Sequence, residues 1–350
     1  MTTIAATIFV LGVLIFVHEL GHFLVAKWVG IRVERFSLGF PPKMIGKKIG
    51  DTEYCLSWIP LGGYVRMAGE VPDENKVTGA PDEFMSKTVG QRTAVIIAGP
   101  LMNLLATVFL CWGLIYVQGK PVIDAARVIV GVVIDGGPAH QAGIRPGDVI
   151  LEVDNVAVTT FADMARIIHR RPGDSLFIAW SRESQTFAEW VVPLDTMILD
   201  EAGEKVRRGL IGIGEGYEIV PVGIFESCFL GVKRTWLFGE GIFRFLGGLI
   251  TGSVSAKMIG GPVFIARVAG EAARHGFGNL LWLMAFLSVN LAIVNLLPIP
   301  ILDGGHLVFL TLEKLRRRPL TLKQRAVAQQ IGLFFILVFI SYVTFNDFLR

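Results

Sequence analysis

Residues 4–29 read IAATIFVLGVLIFVHELGHFLVAKWV. A bilayer core needs roughly 20 apolar residues to cross it, and this stretch supplies them around His18, Glu19 and His22. A cleaved signal peptide is the rival reading of such a run. No basic residue precedes it and no small-x-small cleavage site follows it, so a retained span is expected. Ionisable groups at membrane depth are expensive and mark functional sites. His18 and His22 stand one helical turn apart, so both imidazoles face one metal ion. Glu19, between them, is placed to take a proton from an attacking water.

Outward from this segment, three further apolar runs are long enough to cross: 93–117, 280–297 and 326–345. The stretch 222–270 is apolar but broken by charges and glycines, and reads as amphipathic helices at the membrane surface. The whole chain agrees, being 52% hydrophobic and only 18% charged over 350 residues, against about 25% charged in soluble domains. The net charge of +3 and the lack of a basic stripe with interleaved aromatics exclude nucleic acid as a partner. Three scattered cysteines without a CxxC support neither a disulfide framework nor a thiolate zinc site; they read as small buried apolar residues. Basic residues cluster at 27–48 and 314–325. With four spans these loops share one side, which the positive-inside rule makes cytoplasmic. Both termini and the middle domain then lie outside. That middle stretch, 119–221, carries 10 Lys/Arg against 15 Asp/Glu.

Within it, residues 128–180 alternate like strands around one helical segment, 161–170. The string GVVIDGGPAHQAGIRPGDVILEVDNVAV, residues 131–158, resembles a PDZ domain of the bacterial, protease-associated kind. A later strand at 209–214 is expected to complete it. Such domains bind an extended peptide as an added strand.

A hydrolytic zinc site has three protein ligands and an open position. Asp303 is the candidate for the third, in the segment NLLPIPILDGGH from Asn295 to His306. Two prolines break the helix there, which is tolerated at membrane depth only against protein or a wet cavity. The alternative is that Asp303 caps the next helix, Asp being a favoured N-cap. His306 is expected to pack beside the site rather than ligate. Residues 54–67, YCLSWIPLGGYVRM, read as a β-hairpin turning around 60–63, apolar enough to dip into the membrane.

HELGH in the first span, a PDZ domain between the second and third, and NLLPIPILDGG after the third together resemble the site-2 protease family. GPLMN at 99–103, GGPVFIA at 260–266 and FNDF at 345–348 extend the likeness over nearly the whole chain. The resemblance implies Zn2+ held by His18, His22 and Asp303, with Glu19 as the catalytic base. It implies Asn295, Pro298 and Pro300, and Gly62, Gly63 and Tyr64 on a re-entrant hairpin edge, as substrate-binding residues. It also implies cleavage of single-span transmembrane segments after an upstream site-1 protease has trimmed them. Anti-sigma-factor-like proteins and signal-peptide remnants are substrates of that class. The bacterial inner membrane is the implied location. Two departures stand out. The bacterial members it looks most like carry two tandem PDZ domains where this chain has room for one. The family's Gly-Phe-Gly-Pro is Gly39-Phe40-Pro41-Pro42 here.

The expected fold is therefore a polytopic α-helical membrane protein with four transmembrane helices, a re-entrant β-hairpin and one inserted extracytoplasmic PDZ domain. Its parts are 1–118 (two spans and the hairpin), 119–221 (PDZ), 222–279 (surface helices) and 280–350 (two spans). The expected activity is intramembrane zinc-dependent peptide hydrolysis. A non-catalytic zinc-binding membrane PDZ receptor or scaffold is the alternative. It does not explain Glu19, which a structural metal site does not require. A zinc transporter would want ligands along a path through the bundle, and the spans contain almost none beyond this cluster.

Overall fold

The computed structural model describes residues 2–70, 79–123, 127–199, 205–318 and 320–349. The parts of the middle domain at 124–126 and 200–204 lie outside them. The chain divides into two compact units, 118–222 and the remainder on both sides of it.

The larger unit begins with helix α1 (Thr2–Trp28), strands β1 (Val33–Ile49) and β2 (Thr52–Met67), and helix α2 (Val89–Gln118). Among the described residues, α1 and α2 are two of four helices long and apolar enough to cross a membrane; Phe277–Asn295 and Lys323–Phe348 are the others. These are the four runs expected from hydropathy. Apart from His18, Glu19 and His22, the middle of α1 carries predominantly apolar residues on every side, as suits a helix sharing its surface between protein and lipid. α1 and α2 meet closely because Gly21 carries no side chain: a Cβ there would stand 2.2 Å from the Ala98 carbonyl oxygen. Small residues at helix contacts are how membrane helices approach.

The hairpin differs from its expected form. Residues 52–67 are one long strand, and the turn lies at 50–51, where Gly50 takes a positive φ of 60°. A two-residue connection pairing Ile49 with Thr52 needs that backbone, and glycine adopts it without strain. Gly39, at φ 89°, bends β1 midway, so its two halves do different work. Residues 35–38 lie between 63–66 on one side and 53–56 on the other; residues 43–49 pair with 52–57. Among the described residues no strand pairs with the other edge of 63–67.

The inserted unit opens with β3 (Lys120–Val122), β4 (Val128–Val133), helix α3 (Pro138–Gln141), β5 (Val149–Val153), β6 (Val156–Ala157) and helix α4 (Phe161–His169). It continues with β7 (Leu176–Arg182), β8 (Gln185–Val191), β9 (Leu194–Leu199), β10 (Lys205–Leu210), β11 (Ile213–Glu215) and β12 (Glu218–Val220). The main sheet has the order β11-β4-β5-β7-β8, with β6 on β5. α4 lays Met164 and Ile168 into a core with Val130, Ile150, Ile178 and Trp180, and Thr160 caps its start by accepting from the Asp163 N–H. The Gly147-Asp148 pair of the PDZ signature has a local cause. Asp148 is buried, takes both forks of Arg182 at 2.7 Å and accepts from the Arg145 N–H at 2.8 Å. The strand expected at 209–214 is split: 209–210 end β10, Gly212 turns with φ 79°, and β11 follows. β3 pairs with β12, so the unit's entry and exit strands run together, as an insertion into another domain requires.

The larger unit resumes with helices α5 (Ile224–Thr251), α6 (Pro262–Arg274), α7 (Phe277–Asn295), α8 (Asp303–Arg316) and α9 (Leu322–Phe348). α5 buries the small residues Ser227, Gly231 and Thr235. A Cβ at Gly231 would come within 2.8 Å of the Trp112 backbone in α2, and Phe238 packs on Trp282 and Phe286 of α7. Its opposite stripe leaves Phe225, Phe229, Trp236, Phe243 and Ile250 exposed. α6 lies on α1, with Gly270 against Thr3. Near the end of α9, Asp347 accepts from the Gly261 and Phe264 N–H groups at 3.0 and 2.9 Å. It so satisfies the open first turn of α6.

Candidate metal centre

α1 presents His18 and His22 on one buried face, as their spacing requires. α7 ends at Asn295, and the loop 296–302 turns the chain back so that α8 starts at Asp303. That return is very tight. A Cβ at Gly304 would lie 2.2 Å from the Leu297 carbonyl oxygen, and one at Gly305 would lie 2.2 Å from the Ile299 carbonyl oxygen. Only glycine lets α8 begin against the loop's own backbone, which accounts for the Gly-Gly after Asp303.

The result is a cluster drawn from distant parts of the chain. Asp303 Oδ2 stands 3.2 Å from His18 Nε2 and 3.5 Å from His22 Nε2, and the two Nε2 atoms are 3.2 Å apart. His18, His22 and Asp303 can each offer one ligand atom, all within 4.8 Å of one another. Asp303 Oδ2 is buried without a hydrogen-bond partner. Two imidazole nitrogens and an orphaned carboxylate oxygen, converging in an apolar surround, fit a divalent cation of zinc's ligand preference.

Second contacts fix the rings. His22 Nδ1 lies 2.8 Å from the Val95 carbonyl oxygen, and His18 Nδ1 lies 3.3 Å from Asn103 Nδ2. Asn103 is fully buried, and its backbone carbonyl takes Ser288 Oγ and Thr107 Oγ1 at 2.8 and 3.0 Å. Gly99 leaves room for both imidazoles. Sequence reasoning missed Gly99, Asn103 and the Val95 carbonyl as parts of the site. The signal for Asn103 was an amide in an otherwise apolar span, four residues after a glycine. The Val95 carbonyl has no sequence signal.

Glu19 is half-buried, with His18, His22 and Asp303 as its charged neighbours. The hairpin meets the site through β2. A Cβ at Gly63 would lie 3.0 Å from Ile15 and 3.2 Å from the Glu19 side chain. Gly62 and Tyr64 belong to the other face: Gly62 is held against the Phe40 ring, and the Tyr64 hydroxyl accepts from Arg35 at 3.2 Å. Asn295 Nδ2 stands 3.4 Å from His18 Nε2, so it reaches the site. Pro298 is exposed in the loop, and Pro300 faces α9, where a Cβ at Gly332 would lie 3.3 Å from its ring. His306 lies edge-on to Phe309 and stays outside the three-ligand cluster.

Comparison with known proteins bears on this site. Residues 6–339 match the model of Peptidase family M50. A relative from Agrobacterium fabrum that carries a zinc-metalloprotease name is 35% identical, over 97% of this chain and 94% of its own. The zinc metalloprotease RasP of Bacillus licheniformis is 31% identical, over 100% and 99%. Among solved structures, the PDZ domain of the SdrC-like protein from Listeria monocytogenes is 24% identical, covering 27% of this chain and 92% of its own, with a TM-score of 0.20.

Proposed function

Since this chain belongs to peptidase family M50 and is an intramembrane zinc metalloprotease, we propose that it cuts single-span transmembrane segments that an upstream protease has already trimmed. Zn2+ is its cofactor, and it is a protein of the bacterial inner membrane. The observation that carries the reading is the convergence of His18, His22 and Asp303 on one point, with Glu19 beside it.

His18 Nε2, His22 Nε2 and Asp303 Oδ2 would hold the metal. Zinc, when bound, supplies Lewis acidity and a nucleophilic water at neutral pH. Glu19 takes the proton of the attacking water and delivers it to the leaving amide nitrogen. Asn295, whose amide reaches the same place, donates to the scissile carbonyl as charge develops on it.

A helical peptide bond has its carbonyl occupied and must be unwound first. The unpaired edge of residues 63–67 is suited to that task. It offers main-chain groups in place of the lost helical bonds, and its Gly63 lies beside the Glu19 side chain. Gly63, free of a side chain beside Glu19, lets the two strands approach. We read the hairpin as re-entrant, the basic loops as cytoplasmic, and the termini and PDZ unit as outside. The PDZ unit then acts as a size filter that admits trimmed substrates.

The test compares wild type with Glu19→Gln on a trimmed single-span substrate in detergent with zinc. Cleavage by wild type alone, with equal zinc content in both, is the expected result. Equal cleavage by both removes Glu19 from the mechanism. The filter is tested by comparing full-length and trimmed substrates with the PDZ unit intact; equal rates sink it.

A further inference from the structure

The two ligand imidazoles are held from behind by unlike groups. His22 Nδ1 faces the Val95 carbonyl at 2.8 Å. A carbonyl only accepts, so His22 carries its proton on Nδ1 and leaves Nε2 with a lone pair for a metal. His18 Nδ1 instead faces the amide of Asn103, at 3.3 Å from Nδ2. That amide has two ends of nearly the same shape, one a donor and one an acceptor, which a half-turn of the side chain exchanges. Its Oδ1 is buried without a partner, in a side chain that is 0% exposed.

The two ends have opposite consequences. An N–H donated to Nδ1 forces the His18 proton onto Nε2, the atom 3.2 Å from Asp303 Oδ2. Oδ1 accepting from Nδ1–H leaves Nε2 bare. Ligation through Nε2 requires the second arrangement, and ligating histidines ordinarily donate their other N–H to a carbonyl or carboxylate. We propose that Asn103 is a positioning residue for zinc: its Oδ1 accepts from His18 Nδ1–H and holds the ring in the tautomer that ligates through Nε2. The amide is itself anchored. Its backbone carbonyl is tied to Ser288 of α7 and to Thr107, and Thr107 Oγ1 also reaches the Ala285 carbonyl of α7. Two helices, α2 and α7, therefore hold Asn103 against the α1 ring.

The inference rests on zinc being held by His18, His22 and Asp303. The experiment measures zinc affinity of the full chain in detergent by competition with a chromophoric chelator. Asn103→Leu, which can neither donate nor accept, is expected to weaken zinc by about 10–100-fold. Asn103→Asp, which when ionised only accepts, is expected to stay within a few-fold of wild type. Unchanged affinity in Asn103→Leu, or equal loss in both variants, overturns the proposal. Asp303→Ala separates the two levels. If it keeps wild-type affinity, the ligand set itself is wrong; if it loses zinc while Asn103→Leu does not, only the role of Asn103 falls. Nitrogen-15 spectra of histidine-labelled, zinc-loaded wild type need no substitution, and answer even where a variant fails to fold. The His18 proton is expected on Nδ1, and a proton on Nε2 overturns the proposal.

Discussion

Gly99 of α2 lies against His22 of α1 so closely that a Cβ at that position would stand 2.2 Å from Nε2, the nitrogen aimed at Asp303. It would also stand 2.8 Å from His18 Cε1. No rearrangement of a flexible side-chain end relieves this, because the obstructing atoms belong to the two clustered imidazoles. Gly99→Ala is expected to lower zinc occupancy and cleavage by more than about tenfold, the scale of disturbed ligand shells. Metal analysis after purification, beside a wild-type sample, checks it. Full occupancy in the variant would mean that the rings have room the structure denies them.

The glutamate of α8 is the second lever. Glu313 takes both forks of Arg92 at 2.5 and 3.0 Å and also pairs with Arg325 at 3.4 Å, all three side chains being largely buried. Breaking a buried pair by removing one partner costs about 3–5 kcal/mol, because charge is left uncompensated. Glu313→Ala leaves two arginines so. Since α8 begins with Asp303, loss of thermal stability should come with weakened zinc binding. A variant as stable as wild type would show that water reaches the arginines.

Asp347→Ala removes the group that caps α6. Loss of a helix cap costs about 0.5–2 kcal/mol, and a lower melting temperature is the expected outcome. Asp347→Asn, which keeps one acceptor, should lose less. Equal stability of all three proteins would mean that the first turn of α6 finds other partners.

Zinc removal supplies a further test. A ligand that binds only the folded state stabilises it by mass action. Stripping zinc with a chelator should abolish cleavage and lower the melting temperature, and zinc should restore both. Asp303→Ala should melt like stripped wild type and ignore added zinc.

In the inserted unit, burial pushes the His169 imidazole below its ordinary value of 6.5, and the Arg208 guanidinium 3.5 Å from Nδ1 pushes the same way. The folded state thus resists protonation more than the unfolded one does. Its contribution to stability is full above pH 6.5 and is lost as pH falls from there toward the lower folded value. His169→Gln should flatten the acid side of the unit's stability profile. An unchanged profile would assign that slope to other groups.

The spans and the cluster of His18, His22 and Asp303 were legible because they rest on strong local signals. Twenty apolar residues have few other fates, and histidines at i and i+4 share a face wherever a helix forms. Asp303 was legible as an acid beside a broken helix. The hairpin's register was not. Pro60 and the Gly-Gly at 62–63 look like a turn, but the turn is made by Gly50, and residues 62–63 continue the strand because their neighbours are Phe40 and Glu19. Glycine serves close approach as well as turning, and a sequence does not say which. Asn103 and Gly99 escaped for a related reason. Their meaning lies in what stands opposite them on α1, a contact set by packing between two spans.

The metal cluster joins His18 and His22 to a partner roughly 280 residues later in the chain. At bacterial-scale synthesis of about 5–20 residues per second, some 15–60 s separate the appearance of the histidines from that of the aspartate. Throughout that interval the nascent chain holds His18, Glu19 and His22 without Asp303. The cluster therefore assembles only near the end of translation, and a chain released early carries His18, Glu19 and His22 with nothing to complete them.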